Sequence, residues 1–426
     1  MPHPGNARAS AGRSRYGRGV AVDVRTLRDE DIPAWSAAAL TGFHNPAGDV
    51  DAETRRPWTI LERTWAGFDE DRIVSTLRSF PVGLRMPGGG DVPTSAVTAV
   101  TTSGTHRRRG YATAMMTADL RAARDRGELA AALLAAEWPI YGRFGFGAAT
   151  QVQTWTVQSQ GAQLRHRAPG TVEFVDRATA RALVPAVYEA QRSRRCGDLS
   201  RDDRLWDLEL DVVRLPSWPA ARPAFHVVAR DPAGCPVGVL RYRVEEAEEY
   251  RRSTSQLTAD VFVTADPSAD ALLWGFLLDL DLVATVSVGN RPVDEALPWL
   301  LTDARRARPS DRVDLLWVRP LDTAAFLSAR RYDVEDVLVL ELADPVGLAD
   351  GRFRLDAGPD GAACAPTDQE PDLTLSLSAL SSVSLGGFPL RQLADARLVD
   401  EHRAGAVTRA DRLFRTAVAP YCSTWF

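Results

Sequence analysis

Val97-Thr-Ala-Val-Thr-Thr-Ser-Gly-Thr-His-Arg-Arg-Arg-Gly-Tyr-Ala-Thr113 carries the clearest chemical signal in this chain. Val97, Ala99 and Val100 form a short β-type run, Thr105 is positioned to start a helix, and Gly110 and Ala112 keep its first turn slim. The first N–H groups of a helix lack partners inside it and sit at the positive end of its dipole, so they bind anions. Small residues let a pyrophosphate reach that backbone, and Arg107, Arg108 and Arg109 surround it with positive charge. The segment therefore reads as a strand–loop–helix cradle for a phosphorylated ligand.

Working outward, a strand is expected over 20–27 and a helix over 29–40, where acidic residues and a proline occupy the first turn. Strands follow near 63–68, 73–80 and 92–102, with turns at Asp69-Glu-Asp71 and Pro87-Gly-Gly-Gly90. A helix continues to Arg126, and Ala130–Ala136 reads as a strand. A second unit repeats the pattern: a helix over 178–192, strands near 224–229, 237–244 and 256–264, a helix over 269–280 and a strand over 284–288. Where the first unit has its arginine loop, the second has Val263-Thr-Ala-Asp-Pro-Ser-Ala-Asp-Ala271. That segment caps a helix but lacks both glycine and arginine, so this copy is expected not to bind the phosphorylated ligand. A third unit is expected from Leu315, with a helix over 323–329 and strands near 337–342, 351–356 and 372–377. Short helices are expected over 378–384 and 390–395, and a last one over 408–417. The expected division is a tail at 1–19 and domains at 20–160, 161–314 and 315–426.

The 426-residue chain exceeds one core, and 45% hydrophobic with 25% charged residues is the balance of a soluble globular protein. A net charge of −5 argues against nucleic acid as a partner. All 51 basic residues are arginine. Cys196, Cys235, Cys364 and Cys422 are too scattered for a zinc site or a disulfide framework. The six histidines show no metal spacing, so no metal is expected. No apolar run of about eighteen residues suggests a membrane span, and the start lacks a secretory signal, which favours the cytoplasm.

Three further pieces narrow the reading: Ala135-Ala-Glu-Trp-Pro-Ile-Tyr-Gly-Arg-Phe-Gly-Phe-Gly147, Leu300-Leu-Thr-Asp-Ala-Arg-Arg-Ala307 with Leu316-Trp-Val-Arg319, and an aromatic last residue. With the Arg107-x-x-Gly110-x-Ala112 spacing, the chain resembles the enhanced-intracellular-survival (Eis) acetyltransferases of actinobacteria, within the GCN5-related N-acetyltransferases. The resemblance implies an α/β (α+β) fold of two tandem acetyltransferase-like domains plus a C-terminal sterol-carrier-protein-like domain. It also implies acetyl-CoA in a gap between splayed strands, and a homohexamer acetylating aminoglycoside or polyamine-like amines. Acetyl-CoA contacts carry over to Val100, Thr101 and Thr102, to Arg108, Arg109, Gly110, Tyr111, Ala112 and Thr113, and to Ala136 and Glu137 on the next strand. Tyr141 falls on the family's general acid and the carboxylate of Phe426 on its general base.

Physical sense supports both roles. A phenol titrates near 10, so Tyr141 stays protonated at neutral pH and can serve the leaving thiolate. A terminal carboxylate is a weak base, so Phe426 is expected to fix the amine and to draw a cation into an acidic pocket. The aromatic tail (Tyr421, Trp425, Phe426) is expected to dock rather than fray. His106 is expected to have a local structural role. Phe43, Trp58 and Trp65 are candidates for either a substrate wall or aromatic core. Competing readings are a protein lysine N-acetyltransferase and a non-catalytic lipid-binding protein.

Overall fold

A computed structural model describes residues 22–249 and 252–426. The expected tail at 1–19 and the first two residues of the expected opening strand lie outside them. The first sheet is built around β1 (Asp23–Thr26), β2 (Thr64–Asp69), β3 (Arg72–Arg85), β4 (Asp91–Thr102) and β5 (Ala130–Leu134). β1 through β4 pair antiparallel, and β5 joins β4 in parallel. Helices α1 (Ile32–Gly42) and α3 (Tyr111–Asp125) both pack on β3, with the single turn α2 (Ala52–Arg55) between them in sequence. The buried positions of α3 (Tyr111, Met115, Met116, Asp119, Leu120, Ala123) recur at helical spacing and meet Leu77, Val97 and Leu133.

Beyond β5 the connectivity departs from a reading of successive units. Leu316–Pro320, which a boundary at Leu315 places in the third unit, lies in the first sheet instead, between β5 and the short β6 (Gly147–Ala148). Conversely, Gln151–Gln158, on the first unit's side of the boundary at 160, pairs with Thr285–Pro292 and Ala307–Asp314 in the second sheet. The first two units thus exchange strands. The strand Ala307–Asp314 was not expected, because most of its residues face solvent and it lacks the apolar alternation that marks a half-buried strand.

The second sheet contains seven strands, and Pro267–Leu278 packs across it. The third unit is a five-stranded sheet that includes the unexpected strand Gly361–Pro366. Its last helix spans Ala406–Phe414, two residues earlier at its start than expected and three at its end. A fully buried ion pair joins the third unit to the first: Arg319 Nη2 lies 2.7 Å from the carboxylate of Asp344. Among the described residues, no helix is long and apolar enough to cross a membrane.

Candidate active site

β4 and β5 pair only from Thr94–Ala96 against Ala130–Ala132, after which β4 runs on to Thr102 paired with β3 but without β5. The separation coincides with a bulge. Between the pairs Thr76–Thr101 and Arg78–Thr98, β4 carries an extra residue, and Ala99 takes a left-handed φ of 53°. Side chains of β3 meet carbonyl groups around that irregularity: Thr76 donates to Ala99 O at 2.8 Å and Ser75 to Thr101 O at 2.7 Å. α1 can pass close to β4 because it ends in Gly42. A Cβ there would stand 2.1 Å from the Thr101 hydroxyl.

The resulting cleft, of about 780 Å³, is lined by Val100, Thr101 and Thr102 from β4, by Arg107 through Thr113, and by Glu137 and Tyr141. Every residue carried over from the resemblance for acetyl-CoA is there except Ala136, which lies outside the lining. β5 ends at Leu134, so Ala136 and Glu137 follow the strand rather than belonging to it, and Glu137 precedes the turn α4 (Trp138–Tyr141).

The helix start also differs from expectation. Thr105 belongs to a 3-10 turn over Gly104–His106, and α3 begins at Tyr111. Arg108 at φ 64° and Gly110 at φ 95° break the backbone between them. The first helical bond after the break runs from Ala114 N–H to Gly110 O at 2.9 Å, leaving the amides before it free to face the cleft. Arg107, Arg108 and Arg109 have no carboxylate within 4.0 Å among the described residues, so their charge is available to a ligand. His106 is occupied locally, its two ring nitrogens 2.7 Å from the Thr105 hydroxyl and 2.8 Å from Asp69. Tyr111 anchors the helix by donating to Phe68 O at 3.1 Å.

Tyr141 is 6% exposed, at the cleft wall. Burial, with the nearby charge of Glu137, pushes its phenol above the ordinary value, although Arg143 opposes the shift. It is therefore a proton donor and not a phenolate at neutral pH.

The chain terminus lies in a second cavity, of about 1140 Å³, on the other side of the bulge. The neighbours Ala99 and Val100 divide between the two cavities, as do Phe43 and Gly42. The tail docks through polar contacts that its aromatic composition did not reveal. Asp198 accepts from the hydroxyls of Ser423 and Thr424, at 2.9 and 2.8 Å. Thr424 Oγ1 is also 2.8 Å from the Tyr188 hydroxyl and receives Arg201 Nε at 3.0 Å. Tyr421 is buried as expected, but Trp425 is 68% exposed. Phe43 lines this second cavity, whereas the Trp65 indole donates to buried Asp119.

The second cavity is not the acidic pocket expected. Seven arginines line it, against four side-chain carboxylates and the terminal one. Asp211, Glu245 and Asp260 already pair with Arg214, Arg222, Arg241 and Arg243. Burial raises the carboxyl pKa of the fourth, Glu209, which favours its neutral form.

The second unit has a corresponding parallel pair. Gln256–Ala259 pairs in parallel with Thr285–Val288, and the strand that begins at Gln256 runs on to Thr264. Arg291, 3% exposed, sits beside that extension, donating to Phe262 O at 3.0 Å and pairing with Asp270 and Glu295. A buried guanidinium thus stands beside the strand extension that corresponds to the first unit's cleft wall.

Models of an acetyltransferase (GNAT) domain match residues 23–149 and 197–320, and a sterol carrier protein domain matches 323–423. An uncharacterized N-acetyltransferase of Streptomyces avermitilis is 38% identical, over 95% of this chain and 99% of its own. The N-acetyltransferase Eis of Mycobacterium tuberculosis is 33% identical, over 93% and 98%. The crystal structure of Eis1 from Mycobacterium abscessus superposes with a TM-score of 0.84 at 31% identity, over 95% of this chain and all of that one. The fold is therefore two acetyltransferase domains followed by a sterol-carrier-like domain, and the chain belongs to the Eis family of N-acetyltransferases.

Proposed function

We propose that this N-acetyltransferase moves an acetyl group from acetyl-CoA directly to a primary amine of a small molecule, with both bound at once. The observation that carries the reading is the bulge at Ala99, which sets a phosphate-type cradle on one side and a cavity ending in the chain's own carboxylate on the other. The free amides before Ala114 and the arginines of the loop suit a pyrophosphate. Acetyl-CoA supplies a thioester, whose C–S bond breaks as the C–N bond to the amine forms.

This chain's residues then have distinct tasks. Past Ala96, where β5 no longer pairs with β4, β4 backbone N–H groups directed into the fork would polarise the thioester carbonyl. Tyr141 delivers its proton to the departing sulfur. The carboxylate of Phe426 orients the amine and receives the proton it loses. Transfer of one proton each way leaves an amide and a free thiol.

The aminoglycoside and polyamine class follows from the family resemblance, as does a hexameric cytoplasmic enzyme. A thiol-release assay with kanamycin, spermidine, a lysine peptide and amino acids, with products weighed by mass spectrometry, tests the reading. Amide products that require acetyl-CoA support it; acetyl-CoA left untouched with every amine overturns it.

A further inference from the structure

Three arginines on the wall of the second cavity, Arg55, Arg78 and Arg204, stand apart from the other four. Arg55 pairs with Asp51 at 3.3 Å and Arg204 with Asp202 at 3.5 Å, both carboxylates outside the cavity lining. Arg78 has no carboxylate within 4.0 Å among the described residues, and its Nε is buried without a hydrogen-bond partner. The Nε of Arg204 is buried and unpartnered as well. Arg78 is half-buried and lines the cavity. Burial and the like charges of Arg55 and Arg204 pull its pKa down to about 9, which still leaves it charged at neutral pH. A half-buried guanidinium without a counter-charge, lining a cavity, is a place where an anionic ligand can complete the pairing.

The position is as informative as the charge. Arg78 lies on β3 opposite Thr98, next to the bulge where acetyl transfer is placed. Two residues along the same face, Phe80 carries the Arg204 guanidinium over its ring at 4.3 Å and meets Phe426 edge-on. With Arg55 on Asp51 and Arg204 on Asp202, Arg78 is the one of the three left without a counter-charge among the described residues, and the terminal carboxylate is not within 4.0 Å of it.

We propose that the acceptor is an amine that also bears an anionic group, a carboxylate or a phosphate, gripped by Arg55, Arg78 and Arg204 beside the β4 bulge. This rests on the reading of the second cavity as the acceptor site. A zwitterionic amine meets both signs of charge there: the guanidiniums hold its anion, and the carboxylate of Phe426 faces its amine. Such an acceptor stands in place of the polycationic class that the family resemblance suggests, because a polycation meets seven arginines against five carboxylates there.

The test uses the full-length enzyme with paired acceptors: tryptophan against tryptamine for the carboxylate, O-phosphoethanolamine against ethanolamine for the phosphate, and kanamycin as the polycation. In at least one pair the member that bears the anion is expected to show kcat/KM at least tenfold above the partner that lacks it. Arg78→Gln is expected to lower that ratio by tenfold or more, and Arg78→Lys to keep part of it. An unchanged ratio in Arg78→Gln, or kanamycin preferred over every anionic amine, overturns the proposal. Should Arg78→Gln not fold, Arg204→Gln reads the same ratio. A second arm is independent of turnover: with the first cleft saturated by CoA, calorimetry follows binding of phosphate or tryptophan. Saturable binding weakened at least tenfold in the variant supports the site even if no amine is acetylated; equal binding by both proteins overturns it.

Discussion

The ring of Phe426, the last residue, meets the ring of Phe80 edge-on, with centroids 5.6 Å apart and planes at 90°. Phe80 belongs to β3, so the end of the chain rests on the sheet that also carries the bulged strand. A chain end normally frays. Here Asp198, Tyr188 and Arg201 grip Ser423 and Thr424 just before it, which fixes where the terminal carboxylate lies.

Appending even one glycine after Phe426 moves that carboxylate by a residue's length while leaving the grip on Thr424 intact. Turnover is expected to fall by about 10²-fold or more, the scale of a lost general acid or base, with acetyl-CoA affinity unchanged. Steady-state kinetics and calorimetry on the native and extended proteins check this, and full activity in the extended protein would remove the terminus from the mechanism.

Tyr141→Phe deletes one oxygen from a cleft wall that burial keeps protonated. Turnover is expected to drop by about 10²-fold, and because the phenol titrates above its ordinary value, the wild-type rate should show no loss attributable to it up to that value. A variant as fast as wild type at every pH would assign the proton to another donor.

The arginine loop and the terminal aromatic were legible in the sequence because each is a local pattern of few residues, whereas the splayed strands were expected only through the family resemblance. The strand exchange was not. Leu316–Pro320 and Gln151–Gln158 have ordinary strand composition, and nothing in a linear pattern says which sheet will hold them. The grip on the tail was hidden for a similar reason: Asp198 and Tyr188 stand more than two hundred positions before Thr424. The acidic pocket failed because it was inferred from a weak base at the terminus, whereas the surrounding charge comes from Arg55, Arg78 and Arg204 on separate elements.

Gly110→Ala tests the cradle. The added Cβ meets nothing within 4 Å, so the cost comes from the backbone, which at φ 95° suits glycine. Strain of about 1 kcal/mol, applied where the free amides must align, is expected to weaken acetyl-CoA binding by about fivefold. Calorimetry reads the change. Unaltered affinity would mean that the loop does not depend on the left-handed residue.

Asp119 offers a pH signature. Its carboxylate is wholly buried, accepting from Ser79 at 2.8 Å and the Trp65 indole at 3.0 Å, with Oδ2 unpartnered. Burial is the largest cause and raises its pKa above the ordinary 3.8. A carboxyl whose pKa is raised on folding favours the fold while protonated. That contribution is present below the ordinary pKa and is lost as pH climbs through the raised one. Asp119→Asn stays neutral throughout, so it is expected to match or exceed wild-type melting temperature at pH 8 and to lose that advantage near pH 4. An equal deficit at both pH values would show that the hydrogen-bond geometry, not the charge, governs the site.

The pair Arg319–Asp344 links stability to the cleft wall that carries Tyr141. Both side chains are fully buried, and Arg319 also donates to Phe144 O at 2.6 Å, three residues past Tyr141. Asp344 receives the backbone amides of Val346, Leu348 and Ala349 as well. Replacing it with asparagine keeps the shape but leaves a guanidinium buried without a counter-charge, a loss of about 3–5 kcal/mol by analogy with other broken buried pairs. The denaturation midpoint is expected to fall accordingly. Because the same guanidinium steadies the turn after Tyr141, turnover should fall more than acetyl-CoA affinity, whose loop lies on α3 and β4. Calorimetry and kinetics on Asp344→Asn at a temperature where it remains folded separate the two effects. Should affinity fall as far as turnover, the pair supports the whole cleft rather than the Tyr141 wall.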